Sequence, residues 1–378
     1  MQKFRTITVA DKHLGVAPNL EDYEKAYRDY DLAEWAKGEI EYFADGKLNA
    51  AYNAVERHAH NENKNKVALY LVDENLNETK ITFFELNQLA NRFGNYLKSL
   101  GVNHGDRVFF FLPRTAEIFY GFLGTLKIGA IAGTMFSAFG SDAIYDRLEN
   151  SSAKVLVTTE ELKPRLTSVR RKLPALEHVI TTKRLAKVMS QHSDELHTSH
   201  TDPADPAFML YTSGTTGKPK GVIHAHQAIL QQHLTAKHVL DLKPEDVYWC
   251  TADPGWVTGI AYQILGTLSN ATSTVVYSGR FDPKNWYKII EKIPRDCLVL
   301  RPDRHPDASS RRGRPRPLPQ PFFAPPLGQR RRTTEPTAPP LVKSCFQTRL
   351  PRHLVANRNR SHHDRQLSLS RHSCRLNG

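Results

Sequence analysis

Short apolar runs alternate with amphipathic segments through the first 290 or so residues of the chain. Residues 67–72 form a continuous apolar run of strand length, whereas residues 84–97 carry their apolar side chains on one helical face. Thr82 is placed to cap that helix, and Gly101 follows it as a stop signal. This pattern predicts a strand followed by a capped helix.

The alternation continues along the chain. It predicts further strands at 80–83, 105–113, 130–135, 154–158, 207–211 and 272–277, and further helices at 117–129, 142–150, 262–268 and 282–292. The polar stretch 160–200 is predicted to be a surface excursion. Strands that alternate with helices predict an α/β fold, in which mainly parallel sheets are covered by helices on both faces.

Charge divides the chain in two. Residues 1–292 carry 34 Lys and Arg against 34 Asp and Glu, whereas residues 293–378 carry 18 against 5 and hold 13 of the 23 prolines. With the periodicity above, this predicts four parts: an N-terminal helical segment (1–60), a first β/α subdomain (61–200), a second, incomplete part of the same domain (201–292) and an aberrant or disordered tail (293–378).

The basic tail allows two interpretations. One is a Pro/Arg-rich disordered segment that binds nucleic acid or an acidic partner. The other, which we favour, is a shifted reading frame, because the tail begins in the middle of a domain, directly after a predicted helix. Nucleic-acid binding is then not expected. Without covering elements, the strands at 208–211 and 272–277 are predicted to expose apolar surface.

The cellular setting is constrained by the cysteines and by the apolar runs. Four cysteines show no paired or metal-binding spacing, which favours a reduced intracellular protein. No signal peptide and no membrane span is predicted. We therefore expect a cytoplasmic protein that binds no membrane.

The densest cluster of polar side chains and glycines lies at 211–222, with the sequence Tyr-Thr-Ser-Gly-Thr-Thr-Gly-Lys-Pro-Lys-Gly-Val. It follows an apolar strand and is predicted to lead through a short strand end into a helix, whose N-terminus would favour an anion. Gly214, Gly217 and Gly221 are expected to let the backbone come close to a ligand and to adopt positive φ, and the hydroxyl groups and lysines suit a polyphosphate. The predicted phosphate-binding residues are Thr212, Ser213, Gly214, Thr215, Thr216, Gly217, Lys218 and Lys220.

The loop is not a Walker A motif, because two residues and not four separate Gly214 from Gly217, and Pro219 follows Lys218. It resembles instead the phosphate-loop signature of the adenylate-forming enzymes, which include acyl-CoA synthetases, luciferases and peptide-synthetase adenylation domains. The resemblance implies ATP, magnesium and CoA as cofactors and co-substrates. It also implies a reaction in which a carboxylate attacks the α-phosphate of ATP before CoA displaces AMP.

A second motif at 253–259, Asp-Pro-Gly-Trp-Val-Thr-Gly, is similar to the acyl-pocket motif of acetyl-CoA synthetases within this superfamily. Pro254 and the Ile-Ala that follows Gly259 depart from the usual pattern. The resemblance implies a pocket for acetate or another short acid, walled by Trp256, Val257, Thr258 and Gly259.

Several elements of the family pattern have no counterpart in the sequence. The magnesium-binding Thr-Glu element, the ribose-binding segment and the C-terminal domain with its catalytic lysine are not matched, so no catalytic residue or metal ligand is identified. We therefore expect the family reaction from a longer protein and an inactive fragment from this chain.

Overall fold

The fold was analysed in a computed structural model that describes residues 17–212, 217–293 and 298–301. The described residues from Asn19 onwards belong to one compact unit. The strands, β1 to β11 in chain order, are Val67–Val72, Glu78–Thr82, Arg107–Phe111, Ile131–Met135, Val155–Thr158, His178–Thr181, Pro206–Thr212, Lys220–Ala225, Val247–Cys250, Ser273–Tyr277 and Leu298–Arg301.

Helices connect most of these strands. The α-helices, α1 to α11, are Tyr23–Arg28, Leu32–Ala36, Arg57–Ala59, Phe83–Ser99, Ala116–Lys127, Ser141–Asn150, Thr182–Val188, Ala228–His238, Val257–Gly259, Gly266–Ser269 and Pro283–Lys292. Tyr52–Glu56 and Ile260–Leu265 are π-helical, and Lys163–Leu166, Arg170–Lys172 and Met189–Gln191 are 3₁₀-helical. None of the described helices is long and apolar enough to cross a membrane.

The strands form two mainly parallel sheets, as predicted. Sheet A has the order β11-β9-β10-β1-β2, and sheet B has the order β6-β5-β3-β4-β7-β8. Only the pairs β1–β2 and β7–β8 are antiparallel among the described strands. Each sheet contains strands from before and after residue 200. The boundary predicted at residue 200 therefore does not coincide with the division between the two sheets.

The central strands of sheet B, β3, β4 and β5, are buried on both faces, which explains why they are continuous apolar runs. Along β3, Val108 and Phe110 face one hydrophobic core, while Phe109 and Phe111 face another. Alternate side chains of a strand point to opposite faces, so a strand between two cores is apolar at every position.

Local signals were confirmed where they were strong. β1 has the predicted bounds, and Thr82 caps α4 in a capping box with Glu85. Two expectations are wrong. The polar stretch 160–200 contains β6, which pairs with β5 in sheet B. The apolar side chains of β7 at 207–210 and every residue of β10 are buried, so these strands do not expose apolar surface.

The predicted tail also begins too early. β11 pairs with β9 in parallel, so residues 298–301 extend sheet A beyond the expected boundary near Lys292. Exposed apolar side chains occur elsewhere, on β8 at Val222 and Ile223. The rest of the predicted tail, 294–297 and 302–378, lies outside the described residues.

Helices α4 and α5 cross with their backbones in contact, at Gly94 and Gly124. A β-carbon on Gly124 would overlap the carbonyl oxygen of Ala90 and would lie 3.1 Å from the Gly94 nitrogen. We expect Gly124→Ala to lower the free energy of unfolding by about 1–3 kcal/mol, as other overpacked sites do. Urea denaturation measures this value.

Gly140→Ala is the matched control for this crossing. Gly140 has φ of −85°, and a β-carbon there meets nothing within 4 Å. Gly140 is the N-cap of α6, and the weaker cap and the lower entropy of the unfolded alanine chain oppose each other, so this variant should change the free energy of unfolding by less than about 1 kcal/mol. Equal effects of the two substitutions would contradict the close helix crossing.

Two buried histidines make the fold sensitive to acid. Burial lowers the pKa of His58 to about 3 and that of His226 to about 4. His226 accepts a hydrogen bond from the Ala50 amide at 3.1 Å through Nδ1. The unfolded chain protonates both rings near pH 6.5, while the folded protein does not until the lower pH. Their stabilising effect is therefore complete above pH 6.5 and is lost progressively as the pH falls towards 3–4.

We expect the free energy of unfolding to fall by at most about 1.4 kcal/mol per histidine for each pH unit below 6. The double variant His58→Gln, His226→Gln should show a weaker pH dependence, measured by urea denaturation between pH 7 and pH 5. The surface variant His60→Gln, at an exposed position, is the control and should follow the unmodified chain. Parallel pH profiles for all three proteins would contradict the assignment.

Candidate active site

The candidate site lies where the carboxyl ends of parallel strands from both sheets meet. Ligands in open α/β sheets bind outside these ends. β4 and β7 are neighbours in sheet B, with Gly133 paired to Met209. Neighbouring strands are about 5 Å apart, so the carboxyl ends of β4 and β7, at Met135 and Thr212, lie side by side.

The turn at 253–259, here called the acyl-pocket turn, follows β9 of sheet A but is attached to the end of β4 in sheet B. The buried Thr134 hydroxyl donates to the carbonyl of Pro254 at 2.8 Å. Ser137 donates to the Asp253 carboxylate at 3.3 Å. These hydrogen bonds attach the predicted pocket to the end of β4. The phosphate loop follows β7, the neighbouring strand in sheet B.

Glycine at 255 allows a close approach of two backbones. A β-carbon there would lie 2.6 Å from the Phe136 α-carbon. The Phe136 ring lies next to the Trp256 ring, with centroids 6.4 Å apart. Phe136 therefore supplies a second wall beside the predicted pocket.

The four predicted pocket residues are consecutive and have different environments. Trp256 and Val257 are 55% and 51% exposed, Thr258 is half-buried and Gly259 is buried. A β-carbon on Gly259 would lie 2.7 Å from the Pro254 α-carbon, so glycine is needed for the turn to close. A bulky ring and a small branched side chain thus face the open side of the turn.

The phosphate loop connects β7 and β8, which pair as an antiparallel hairpin. Thr212 is paired with Lys220 at the mouth of the loop, and both residues are exposed together with Lys218. Gly217 has φ of +127°, a conformation that favours glycine. Ser213, Gly214, Thr215 and Thr216 lie outside the described residues.

Two details of the sequence interpretation are wrong here. The predicted order of loop, strand end and helix is confirmed by β8 and α8, but the helix N-terminus does not lie at the loop, because β8 runs back along β7 and α8 begins at the opposite end of the sheet, beside Asp205. Gly221 does not have a positive φ. Its β-carbon would lie 3.2 Å from the Tyr211 ring, so glycine there allows close packing in the hairpin.

Packing around Tyr211 holds the base of the loop. Its hydroxyl donates to the Asn150 side-chain oxygen at 2.7 Å. The buried Arg147 guanidinium lies 4.1 Å from the Phe139 ring centroid and 5.6 Å from that of Tyr211. Cation–π contacts of this kind stabilise a desolvated arginine, so the first residue of the motif is anchored on α6.

Among the described residues, no group of three or more His, Cys, Asp or Glu side chains could hold a metal ion. The exposed hydroxyl and lysines at the mouth of the loop do suit a triphosphate.

A sequence profile of the family described as AMP-binding enzyme matches residues 55–303. The chain belongs to the AMP-binding enzyme family. The matched segment contains both sheets, the phosphate loop and the acyl-pocket turn. It ends eleven residues beyond Lys292 and includes β11, so the family pattern extends further than the sequence analysis placed it.

Curated relatives of this AMP-binding chain are acetyl-coenzyme A synthetases. That of Bacillus subtilis is 48% identical over 286 residues, covering 73% of this chain and 49% of the relative. That of Methanothrix thermoacetophila is 38% identical over 305 residues, covering 73% and 46%. The chain thus spans about half the length of the curated relatives it matches.

Solved structures of acyl-CoA synthetases share this fold. An acyl-CoA synthetase of Brucella canis matches with a TM-score of 0.65 and 30% identity, over 71% of this chain and 50% of that one. The anthranilate CoA ligase AuaEII, solved with anthranoyl-AMP, matches with a TM-score of 0.60 and 27% identity, over 65% and 47%. The predicted α/β architecture of the adenylate-forming domain is confirmed.

Sequence reasoning missed the residues that support the site in this family member. Thr134 and Ser137 are single hydroxyl residues in or beside an apolar strand, and Arg147 is an isolated basic residue in an amphipathic helix. The available signal was their position, since residues at the carboxyl end of a parallel strand are placed to contact a ligand or a loop.

Proposed function

We propose that the protein, at the full length of its family, is an AMP-forming ligase that joins a short-chain acid such as acetate to CoA. The observation that carries the proposal is the attachment of the acyl-pocket turn to the end of β4, the strand next to β7 and its phosphate loop. Acid and triphosphate would then meet at one edge of sheet B. The names of the curated relatives support the same reaction.

The chemistry assigns separate tasks to the two segments. A carboxylate oxygen attacks the α-phosphorus of ATP, the bond to the β-phosphate oxygen breaks, and pyrophosphate leaves. Lys218, Lys220 and Thr212 would hold the charge of that leaving group. The thiol of CoA then attacks the acyl carbon and releases AMP. Trp256 and Val257 would limit the length of the acid.

Magnesium dependence, CoA as acceptor and a cytoplasmic location belong to this proposal. Magnesium would neutralise phosphate charge. Acetate-dependent exchange of pyrophosphate into ATP, with and without EDTA, tests the reaction and its metal dependence.

Substitution of residue 257 tests which length of acid the protein prefers. We expect Val257→Gly to favour propionate and butyrate over acetate by about 1–3 kcal/mol per methylene accommodated, because a smaller side chain leaves room beside Trp256. The ratio of kcat/KM values for the three acids measures this shift. Val239→Gly is the control, since Val239 is also exposed but ends a helix outside the site. A wild type that prefers aromatic or long-chain acids would contradict the short-acid assignment. Only the assignment to the family would then remain.

A further inference from the structure

Arg114 joins the two sheets at the candidate site. It lies three residues after β3 of sheet B, and its guanidinium donates to three backbone carbonyls that follow strands of sheet A. Nη1 donates to Thr251 at 3.1 Å, Nε to Tyr277 at 3.2 Å and Nη2 to Gly279 at 3.3 Å. One side chain therefore connects the carboxyl ends of β9 and β10 to sheet B.

The geometry uses properties that only arginine has. Its planar guanidinium presents donors in several fixed directions, whereas a lysine ammonium is a compact point charge on a flexible stem. Within the described part of the chain, no carboxylate forms an ion pair with Arg114. Its hydrogen bonds go instead to backbone carbonyls at the strand ends.

The contact with Thr251 bears directly on the acyl-pocket turn. Thr251 lies two residues before Asp253, where that turn begins. The turn has two other attachments to sheet B, through Thr134 and Ser137, and both come from the end of β4. Arg114 adds a third attachment from β3, so the start of the turn is fixed from a different strand.

We propose that Arg114 is a positioning residue that sets the place of the acyl-pocket turn relative to the phosphate loop. It acts through the Thr251 backbone and is not assigned any contact with the acid or with ATP. The inference rests on the proposed function for its kinetic consequence, but the placement of the turn can be measured without activity.

The first experiment is amide hydrogen exchange on this chain and on its Arg114→Met and Arg114→Lys variants. The Gly255 amide donates to the Asp253 side chain at 2.8 Å, and the Trp256 amide donates to the Asp253 carbonyl at 2.9 Å. We expect about tenfold faster exchange at 251–256 in Arg114→Met, a smaller change in Arg114→Lys, and unchanged exchange in β3 and β4.

Arg107 provides a matched control at the other end of β3. Its guanidinium also donates to three backbone carbonyls, those of Ser151, Gly105 and Ser152, but at the amino ends of the strands. Arg107→Met should alter exchange near 151–152 and not at 251–256. Equal exchange at 251–256 in wild type and Arg114→Met, or faster exchange spread evenly over both sheets, would overturn the inference.

The second experiment uses the protein at full family length. In acid-dependent ATP–pyrophosphate exchange, Arg114→Met should raise the KM for the acid about tenfold and leave the KM for ATP within about twofold, because only the pocket side is misplaced. Arg114→Lys, or added guanidinium, should restore part of the loss. Arg107→Met should change neither KM.

The outcomes separate the two hypotheses. An active wild type whose acid KM is unaffected by Arg114→Met overturns the positioning role and leaves the proposed function intact. A wild type without exchange activity for any acid overturns the proposed function, and the hydrogen-exchange result then decides the role of Arg114 alone.

Discussion

Acetate-dependent ATP–pyrophosphate exchange is expected to appear when the gene is read in another frame beyond Lys292, and to be absent from the chain as given. The physical reason lies in composition. Residues 293–378 hold 17 of the chain's arginines and one lysine, with 13 of its 23 prolines, and show no period that buries a core. A frame restored between Lys292 and Asp303 should return a β/α pattern and the magnesium element that the described residues do not contain.

The sequencing result comes first and the assay second. One of the two alternative frames should stay open and should resume the strand and helix alternation of residues 67–292. A gene with a silent base change at the same place is the control for expression. Stop codons scattered through both alternative frames would contradict the frame hypothesis and favour a real basic tail. Three apolar residues and an arginine, as in β11, can pair with a sheet edge in any frame, so β11 does not decide the question.

Much of the fold was accessible from the sequence because its signals are local. Strands between two cores must be apolar throughout, and α4 begins with a capping pair that needs only Thr82 and Glu85. Strand order is not local. β1 pairs with β10, in which Leu69 lies opposite Thr274, and no pattern within either segment specifies a partner some 200 residues away.

The site was accessible only in part for a related reason. The phosphate loop and the acyl-pocket turn are runs of unusual residues, so they stand out in the sequence. The error after the loop arose because β8 is an exposed edge strand with Lys220, Gly221 and His224 among its residues, and such a strand lacks the apolar run of an interior strand. Arg114 and Thr134 act through single long-range hydrogen bonds, which leave no mark in the local pattern.

The mouth of the phosphate loop gives the second prediction with a large effect, which concerns Lys220. In the hairpin, Lys220 is paired with Thr212, so its backbone is fixed by β7 while its exposed side chain is free to meet a ligand at the loop. Negative charge builds up on pyrophosphate as it leaves, and a positioned ammonium stabilises that charge more than it stabilises bound ATP.

We expect Lys220→Ala to lower kcat for ATP–pyrophosphate exchange by about 10²-fold in the active, full-length protein, the usual loss when one stabilising donor is removed. Lys220→Arg should retain more activity, because it keeps the charge. Lys98→Ala, at an exposed position in the last turn of α4, is the control and should be neutral. The melting temperature of Lys220→Ala should match that of the wild type, since the side chain is exposed. Equal exchange rates for Lys220→Ala and Lys98→Ala would remove Lys220 from the phosphate site, and the remaining candidates at the mouth of the loop would then be Lys218 and Thr212.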